Sequence, residues 1–285
     1  GYHSLFYVLF CSMLLCTTFV IKVFNKINPA VQKLAHTHTK NIFSGEALLN
    51  WTEDSLMNPE EMGEYAEGDI LIPTATRNGL RDEAGRWPEG IIPYVIEGYY
   101  NSQQREMIMK AIADYHRLTC LRFVPYNGQK DYLTIQSGNS GCWSSVGRLG
   151  GRQEVNLQAP GCVSKKGTIL HELLHAVGFM HEQSRPERDQ YVDVKYSNIK
   201  PGSENNFKKA EESRANGFGV KYDYNSVMHY SEYAFSRNGQ KTIDPKVRYI
   251  IRSPYHLIMI PTGIARDNSA SLLRITLTLL VNDYF

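Results

Sequence analysis

A five-residue pattern between positions 171 and 181 constrains this chain more strongly than any other part of its sequence. His171 and His175 are four residues apart, so on a helix both imidazoles lie on one face and can bind the same ion. Glu172 is one step round the helix and can point at a water beside the metal rather than at the metal itself. Gly178 can adopt a positive φ, end the helix and bring back His181 as a third ligand. Three histidines leave an open coordination position, which is typical of catalytic zinc.

The alternative is an amphipathic core helix that carries histidines on its polar side. Leu170, Leu173, Leu174 and Val177 do form an apolar face, so this helix also belongs to the core. A core role explains the leucines but not three His, one Glu and one Gly at metal spacing. Over the whole chain that pattern arises by chance with a probability on the order of 10⁻⁵ to 10⁻⁴. The spacing therefore indicates a metal site.

The charge balance excludes one large class of function. The 285 residues carry 31 Lys and Arg against 29 Asp and Glu, a net charge of +2, without long blocks of one sign. This balance argues against a nucleic-acid partner bound through a basic face. Hydrophobic residues make up 42% and charged residues 21%, which is ordinary for a globular protein. The length allows one large domain or one domain with extensions.

An uncharged and mostly apolar run from Leu5 to Ile21 lies near the start of the chain, and Lys22 follows it. The run fits the core of a signal peptide or, at the short limit, a membrane anchor, and a buried core helix is the third alternative. As a signal peptide or anchor, residues 1–24 send the rest of the chain into an oxidising compartment. Cys11 and Cys16 then drop out of the disulfide count.

The stretch from residue 25 to residue 77 is polar and partly acidic, so we interpret it as an extension that cannot bury a core of its own. It contains the sequon Asn50-Trp51-Thr52, which matters only in a secreted chain. From about residue 85 the pattern becomes globular. It predicts a helix capped by Asn101 or Ser102 and running to about Leu118. It also predicts four short strands, at residues 91–96, 121–126, 132–136 and 154–158. Pro93 suggests that the first is an edge strand or that the strand starts there.

The zinc pattern resembles that of the metzincin metallopeptidases, and within them the astacin family. A Glu directly after the third histidine, here Glu182, resembles the astacin pattern rather than that of other metzincin families. Ser226–Tyr230 (SVMHY) is similar to the astacin Met-turn. The resemblance covers about residues 60 to 246. Further matches are Arg86-Trp87-Pro88, Ile92-Pro93-Tyr94, Cys142-Trp143-Ser144, Val146-Gly147 and Gly167-Thr168-Ile169.

The resemblance implies an α+β metzincin fold, with a twisted and mostly parallel sheet, an antiparallel edge strand, a zinc-binding active-site helix and a smaller C-terminal subdomain. It implies one Zn²⁺ per chain held by His171, His175 and His181, with Glu172 as the catalytic base. Met228 then lies beneath the zinc site, and Tyr230 is a displaceable ligand that stabilises the oxyanion. An extended peptide substrate would align on the sheet edge near residues 142–146.

The same resemblance implies that the chain is made in a latent form. Glu67-Gly68-Asp69-Ile70 is similar to the FxGD motif of astacin propeptides, with Ala66 where an aromatic residue is common, so Asp69 is expected to occupy the position on zinc that water needs. The family pattern places the mature N-terminus at Asn78, after the trypsin-like site Arg77, and Arg81 is a second candidate. The new ammonium group is expected to pair with Glu182.

The chain departs from the family pattern near its end. Residues 247–285 contain no Cys and no recognisable closing helix, so they are either a frameshift, intron or gene-model artefact or a real divergent tail. By the resemblance Cys142 pairs with Cys162, and Cys120 stays unpaired because its expected partner is missing. The implied domains are a signal peptide or anchor (1–24), a propeptide (25–77), a catalytic domain (78–246) and this tail.

These expectations combine into a secreted zinc endopeptidase, made as a zymogen and activated by a trypsin-like protease. Its substrates are proteins or peptides. We expect no nucleic-acid partner, and no stable membrane association unless residues 1–24 are kept as an anchor. The alternative is an inactive relative that binds zinc and acts as a binding or decoy protein, because the C-terminal subdomain is disrupted.

Overall fold

The computed structural model describes residues 45–72, 85–211 and 220–247. The targeting segment 1–24, the cleavage candidates Arg77 and Arg81, the mature terminus Asn78 and all but the first residue of the tail lie outside these residues. Among the described residues, no helix is both long enough and apolar enough to cross a bilayer.

A five-stranded sheet forms the centre of the fold. Its strand order is β2-β1-β3-β5-β4, in which β2, β1, β3 and β5 run parallel and β4 pairs antiparallel with β5 at one edge. This confirms the α+β class and the mostly parallel sheet with an antiparallel edge strand. The strands are β1 (Ile91–Ile96), β2 (Arg122–Pro125), β3 (Tyr132–Gln136), β4 (Cys142–Ser144) and β5 (Arg152–Leu157).

Helix α1 (Ser102–Leu118) connects β1 to the parallel strand β2. Of the two candidate caps, Asn101 is the one used. Its side chain accepts from the amide of Gln104, and the Gln104 side chain accepts from the amide of Asn101, both at 2.9 Å. One face of the helix is apolar and buried in the core that includes the sheet, and its fully buried residues are Ile108, Ala111, Ile112 and Tyr115.

Pro93 does not mark an edge strand, because β1 lies between β2 and β3. The register explains how the sheet accepts it. Pro93 is paired with Val124 of β2, whereas pairing with β3 begins one residue later, at Tyr94. The missing N–H of proline therefore lies where the strand has a neighbour on one side only.

The described residues form two separate hydrophobic cores. The larger one joins the sheet to α1 and to α2 (Lys166–Val177), whose leucines are buried there. The smaller one forms beyond α2 around Phe207, Tyr230 and Phe235, next to the antiparallel pair β6 (Val192–Val194) and β7 (Ile243–Pro245). Short 3₁₀ turns lie at Pro59–Met62, Pro88–Gly90, Gly161–Val163, Glu182–Ser184, Arg188–Gln190, Tyr196–Asn198 and Glu204–Phe207.

A disulfide joins Cys142, at the start of β4, to Cys162, and Cys120 is free and exposed, as the resemblance implied. We predict that replacing both Cys142 and Cys162 by Ala lowers the free energy of unfolding by about 2 to 4 kcal/mol, because the bond closes a loop in the unfolded chain. Urea unfolding measures the loss, and Cys120→Ala is the control with almost no effect. A double variant as stable as the unchanged protein would contradict the prediction.

Candidate metal centre

Helix α2 places the first two histidines, and Gly178 turns the chain toward the third. The amide of Gly178 donates to the carbonyls of Leu174 at 3.0 Å and His175 at 2.9 Å, which closes the helix. Gly178 has a φ of 129°, a conformation that side chains rarely allow, so the glycine is required for this sharp exit. Three residues later the chain reaches His181.

The three imidazoles meet in a buried cluster. Ring centroids lie 4.7 Å apart for His171 and His175, 5.2 Å for His171 and His181, and 4.7 Å for His175 and His181. One ligand atom from each ring and one carboxylate oxygen of Asp69 all lie within 4.8 Å of one another. The structure therefore brings together the three residues proposed as ligands and adds the proposed zymogen residue to them.

The outer ring nitrogens of the two helical histidines are held by main-chain carbonyls. Nδ1 of His171 lies 2.7 Å from the carbonyl oxygen of Val227, and Nδ1 of His175 lies 2.7 Å from that of Phe179. A carbonyl only accepts, so Nδ1 carries the proton in both rings and Nε2 is left as a lone-pair donor. Burial lowers the pKa of His175 to about 4, which keeps that ring neutral as ligation requires.

Asp69 faces all three inner nitrogens. Its Oδ2 lies 2.8 Å from Nε2 of His171 and 3.2 Å from Nε2 of His181, and its Oδ1 lies 3.5 Å from Nε2 of His175. Burial opposes the charge, but the neighbouring His181 and His175 hold the pKa of Asp69 well below its usual range.

This arrangement fits a metal ion. Among the described residues, Oδ1 of Asp69 and Nε2 of His175 are buried without a hydrogen-bond partner, and both are acceptors facing each other. Acceptors that converge repel one another unless a cation lies between them. Three imidazole nitrogens and one carboxylate form a nitrogen and oxygen donor set that suits zinc, which takes the place of any proton on the inner nitrogens when it binds.

His181 differs from the other two histidines because its outer nitrogen meets a side chain of the N-terminal segment. Nδ1 of His181 lies 2.8 Å from Oε2 of Glu67, and the hydroxyl of Ser184 donates to the same oxygen at 2.7 Å. Burial opposes a positive charge here, but Asp69 and Glu67 raise the pKa of His181 to about 10. Sequence analysis did not assign a role to Glu67, which occupies the variable position of the FxGD-like motif. Its place two residues before Asp69 was the only sign in the sequence that it could lie near the metal site.

Glu172 is completely buried beside the cluster. Neither of its carboxylate oxygens has a hydrogen-bond partner among the described residues. Burial, followed by the charges of Asp69 and Glu60, raises the pKa of Glu172 well above its usual range. A buried carboxylate with unused acceptor sites and a raised pKa is suited to taking up a proton.

Residues 227–230 contact the histidine cluster and the chain next to it. Met228 is buried in the larger core, and its carbonyl accepts from the amide of Glu182 at 2.9 Å. The ring of Tyr230 lies beside that of His181, with centroids 4.8 Å apart and the ring planes tilted by 56°. Its hydroxyl donates to the carbonyl of Glu67 at 2.5 Å, and burial raises the pKa of the phenol well above its usual range. The hydroxyl of Tyr230 is thus held by the N-terminal segment.

The N-terminal segment also occupies the edge of the sheet. Next to Asp69, Ile70 forms a parallel bridge to Ser144 of β4. The amide of Ser144 donates to the carbonyl of Asp69 at 2.9 Å, and the amide of Leu71 donates to the carbonyl of Ser144 at 2.8 Å. The edge proposed for a substrate is therefore already paired.

Two buried glutamates fix the same segment further upstream. Glu60 accepts from the hydroxyl of Thr168 at 2.9 Å. Glu61 accepts from the hydroxyl of Ser231 at 2.7 Å and also from the amide of Ser231. Burial raises the pKa of Glu61 to about 7, although its bonds to Ser231 oppose the rise. These contacts join the acidic extension to the helix of the metal site and to the turn after Tyr230.

The carboxylate of Glu182 already has partners in the uncleaved chain. It pairs with Arg185 at 2.8 Å and accepts from the amide of Asp223 at 2.9 Å. Burial raises the pKa of Glu182, and Arg185 opposes the rise. The predicted partner, the ammonium of Asn78, lies outside the described residues, so that pairing stays a prediction.

Comparison with known proteins agrees with this geometry. The family model described as Astacin, a peptidase family, matches residues 79–253. The chain is 43% identical over 197 residues to Zinc metalloproteinase nas-4 of Caenorhabditis elegans, covering 65% of this chain and 62% of the relative. It is 46% identical over 185 residues to the Astacin-like metalloendopeptidase of Mus musculus, covering 63% of this chain and 41% of the relative.

A solved structure supports the fold. High choriolytic enzyme 1, a hatching enzyme zinc-protease from Oryzias latipes, matches with a TM-score of 0.52 and 36% identity over 62% of this chain and 86% of that chain. The alignments span less than two thirds of the length of the two curated relatives.

We predict that His175→Ala lowers the zinc content of the cleaved chain, which has lost Asp69, from about one ion per chain to almost none, since two histidines bind zinc poorly. Atomic emission measures the ratio of metal to protein. His116→Ala, at an exposed position on α1, is the matched control and keeps one ion. Stoichiometric zinc in the His175→Ala chain would exclude His175 as a ligand.

Proposed function

The chain belongs to the astacin family of peptidases, and on that basis we propose that it is a zinc-dependent endopeptidase made as a latent precursor. One observation carries the proposal. The inner nitrogens of His171, His175 and His181 converge with Asp69 at one buried point, and the charge of Asp69 acts on the buried, unpartnered carboxylate of Glu172. The substrates proposed are proteins or peptides.

Each chemical residue has a distinct task in this proposal. The three histidines hold zinc, which when bound lowers the pKa of water to about 7 and polarises a carbonyl group. Glu172 takes the proton of the attacking water and passes it to the leaving amine. Tyr230, once released from Glu67, donates its hydroxyl to the oxyanion that forms. The rings of His171 and His175 are positioned by main-chain carbonyls that cleavage leaves in place, so these two ligands need little reorganisation.

Substrate positioning follows from the free edge that β4 would offer. An extended peptide would bind to the main-chain groups of Ser144 by adding a strand to the sheet. The N-terminal segment now uses the same groups through Asp69 and Leu71. Substrate and N-terminal segment therefore compete for one edge, and only one of them can be bound at a time.

Latency is proposed to rest on Asp69 together with the contacts around it. Its carboxylate faces the three inner nitrogens, where it would exclude the water that Glu172 activates. Cleavage after Arg77 by a trypsin-like protease would release this segment and free the ammonium of Asn78. Glu182 would then gain a second cation beside Arg185, which favours its charged form.

Secretion is proposed from three features that agree with one another. The apolar run from Leu5 to Ile21 fits a signal peptide, and Asn50-Trp51-Thr52 is a sequon. The disulfide between Cys142 and Cys162 is typical of oxidising compartments. The alternative of an inactive binding or decoy protein is not favoured, because Glu172 and Tyr230 are both present beside the histidines.

We predict that Glu172→Gln keeps about one zinc per chain but lowers kcat by about 10² to 10⁴, because the base is lost and the ligands are not. The measurement is casein hydrolysis after trypsin treatment, with zinc determined on the same sample. Glu106→Gln, at an exposed position on α1, is the control with full activity. Retained turnover, or loss of zinc, in Glu172→Gln would sink the assignment of the base.

We also predict that Asp69→Ala makes the uncleaved chain at least about tenfold more active than the uncleaved parent, because water then reaches the metal position. A quenched peptide substrate measures the rate, and mass spectrometry shows that the chain is intact. Asp54→Ala, an exposed change in the same segment, should stay latent. If the Asp69→Ala chain is as silent as its parent, this account of latency fails.

A further inference from the structure

The outer partners of the three histidines are not equivalent. His171 and His175 donate to main-chain carbonyls within the catalytic domain, and no cleavage at Arg77 removes those groups. His181 instead meets a carboxylate, that of Glu67, which belongs to the segment to be cleaved away. The third ligand therefore depends on a residue that is 114 positions earlier in the chain.

We propose that Glu67 is a positioning residue of the metal site, supplied by the N-terminal segment, and that it strengthens zinc binding by the uncleaved chain. The inference rests on the metal site of the proposed function and adds to it a residue outside the ligand set. Glu67 touches no reacting atom and acts only through His181.

The contact has the form that outer partners of metal-binding histidines take. A carboxylate bonded to Nδ1 fixes the tautomer and the ring orientation, and it makes Nε2 a better donor. The hydroxyl of Ser184 donates to the same Oε2 and holds this oxygen in place. Ser184 is only 2% exposed and His181 1%, whereas the side chain of Glu67 is 19% exposed, so water screens this contact only in part.

Glu67 is itself fixed by its main chain. Its amide donates to Oδ1 of Asn206 at 3.2 Å, and its carbonyl accepts from Tyr230. Its φ is 50°, in the left-handed region that residues with a Cβ avoid. The free energy cost of this backbone conformation is offset by the contacts of Glu67 with Asn206, Tyr230, Ser184 and His181. These contacts together keep the Glu67 carboxylate against His181.

The negative charge of Glu67 determines the direction in which it changes zinc affinity. The Glu67 carboxylate attracts whatever cation sits on the far side of the imidazole of His181, whether a proton or a metal ion. A doubly charged zinc ion gains more from that attraction than a competing proton does. Zinc therefore binds more tightly with Glu67 present, even though the carboxylate also favours the protonated ring.

The experiment measures zinc dissociation constants of uncleaved, full-length chains by competition with a coloured chelator. All chains carry Asp69→Ala, so that the direct contribution of Asp69 is absent. Adding Glu67→Ala should weaken zinc binding by about tenfold to a hundredfold, the range seen when outer partners are removed. Glu67→Gln should cost less, because the amide oxygen still accepts from Nδ1. Glu53→Ala, an exposed change in the same segment, should leave the constant unchanged.

Thermal unfolding of the same chains without metal separates positioning from folding. We expect Glu67→Ala and Glu53→Ala to have similar melting temperatures, with weaker zinc binding in Glu67→Ala only. If Glu67→Ala lowers the melting temperature, zinc binding is measured with Ser184→Ala instead. This change removes the hydroxyl that donates to Oε2 of Glu67 and should weaken zinc binding by a smaller factor. Equal zinc constants with and without Glu67, or with and without Ser184 in that case, overturn the inference. No activity is measured, so a failure of the peptidase proposal would show separately, as absent hydrolysis by processed chains that still bind zinc.

Discussion

Most of the structure around residue 171 serves to bring three imidazole nitrogens and one carboxylate to a single buried point. Acceptor atoms so close together repel one another unless a cation lies between them, so the cluster is suited to binding a metal ion. Helix α2 supplies two of the rings because its leucines anchor it in the larger core, and Gly178 lets the chain return with the third. The carbonyls of Val227 and Phe179 then set the proton positions that leave the inner nitrogens available.

The N-terminal segment meets this site at several points, and under the proposed function each contact would block a different requirement of catalysis. Asp69 takes the position facing the ligands, and the carbonyl of Glu67 holds the hydroxyl of Tyr230. The main chain of residues 69–71 fills the sheet edge at Ser144. Buried carboxylates further upstream fix the segment in place. The proposed latency is therefore a property of the whole docked segment rather than of one residue, and removing the segment would restore all three requirements together.

What the sequence could predict was local. The spacing of His171, His175 and the glycine after them follows from helix geometry, and the cap of α1 follows from Asn101 and the residue three positions later. Contacts between distant parts of the chain carry no such spacing. The bond between Glu67 and His181 depends on how the whole segment docks, so a local pattern could not show it. The position of β1 inside the sheet also depended on a pairing register, which no single strand encodes.

Crystals of the uncleaved, zinc-loaded chain, measured at the zinc absorption edge, test the central claim most directly. The account predicts one anomalous peak within about 2.0 to 2.2 Å of Nε2 of each of the three histidines and of a carboxylate oxygen of Asp69. A peak elsewhere, or a zinc ion at the three histidines with water in place of Asp69, would contradict it. The second result would show that the N-terminal segment does not act through the metal.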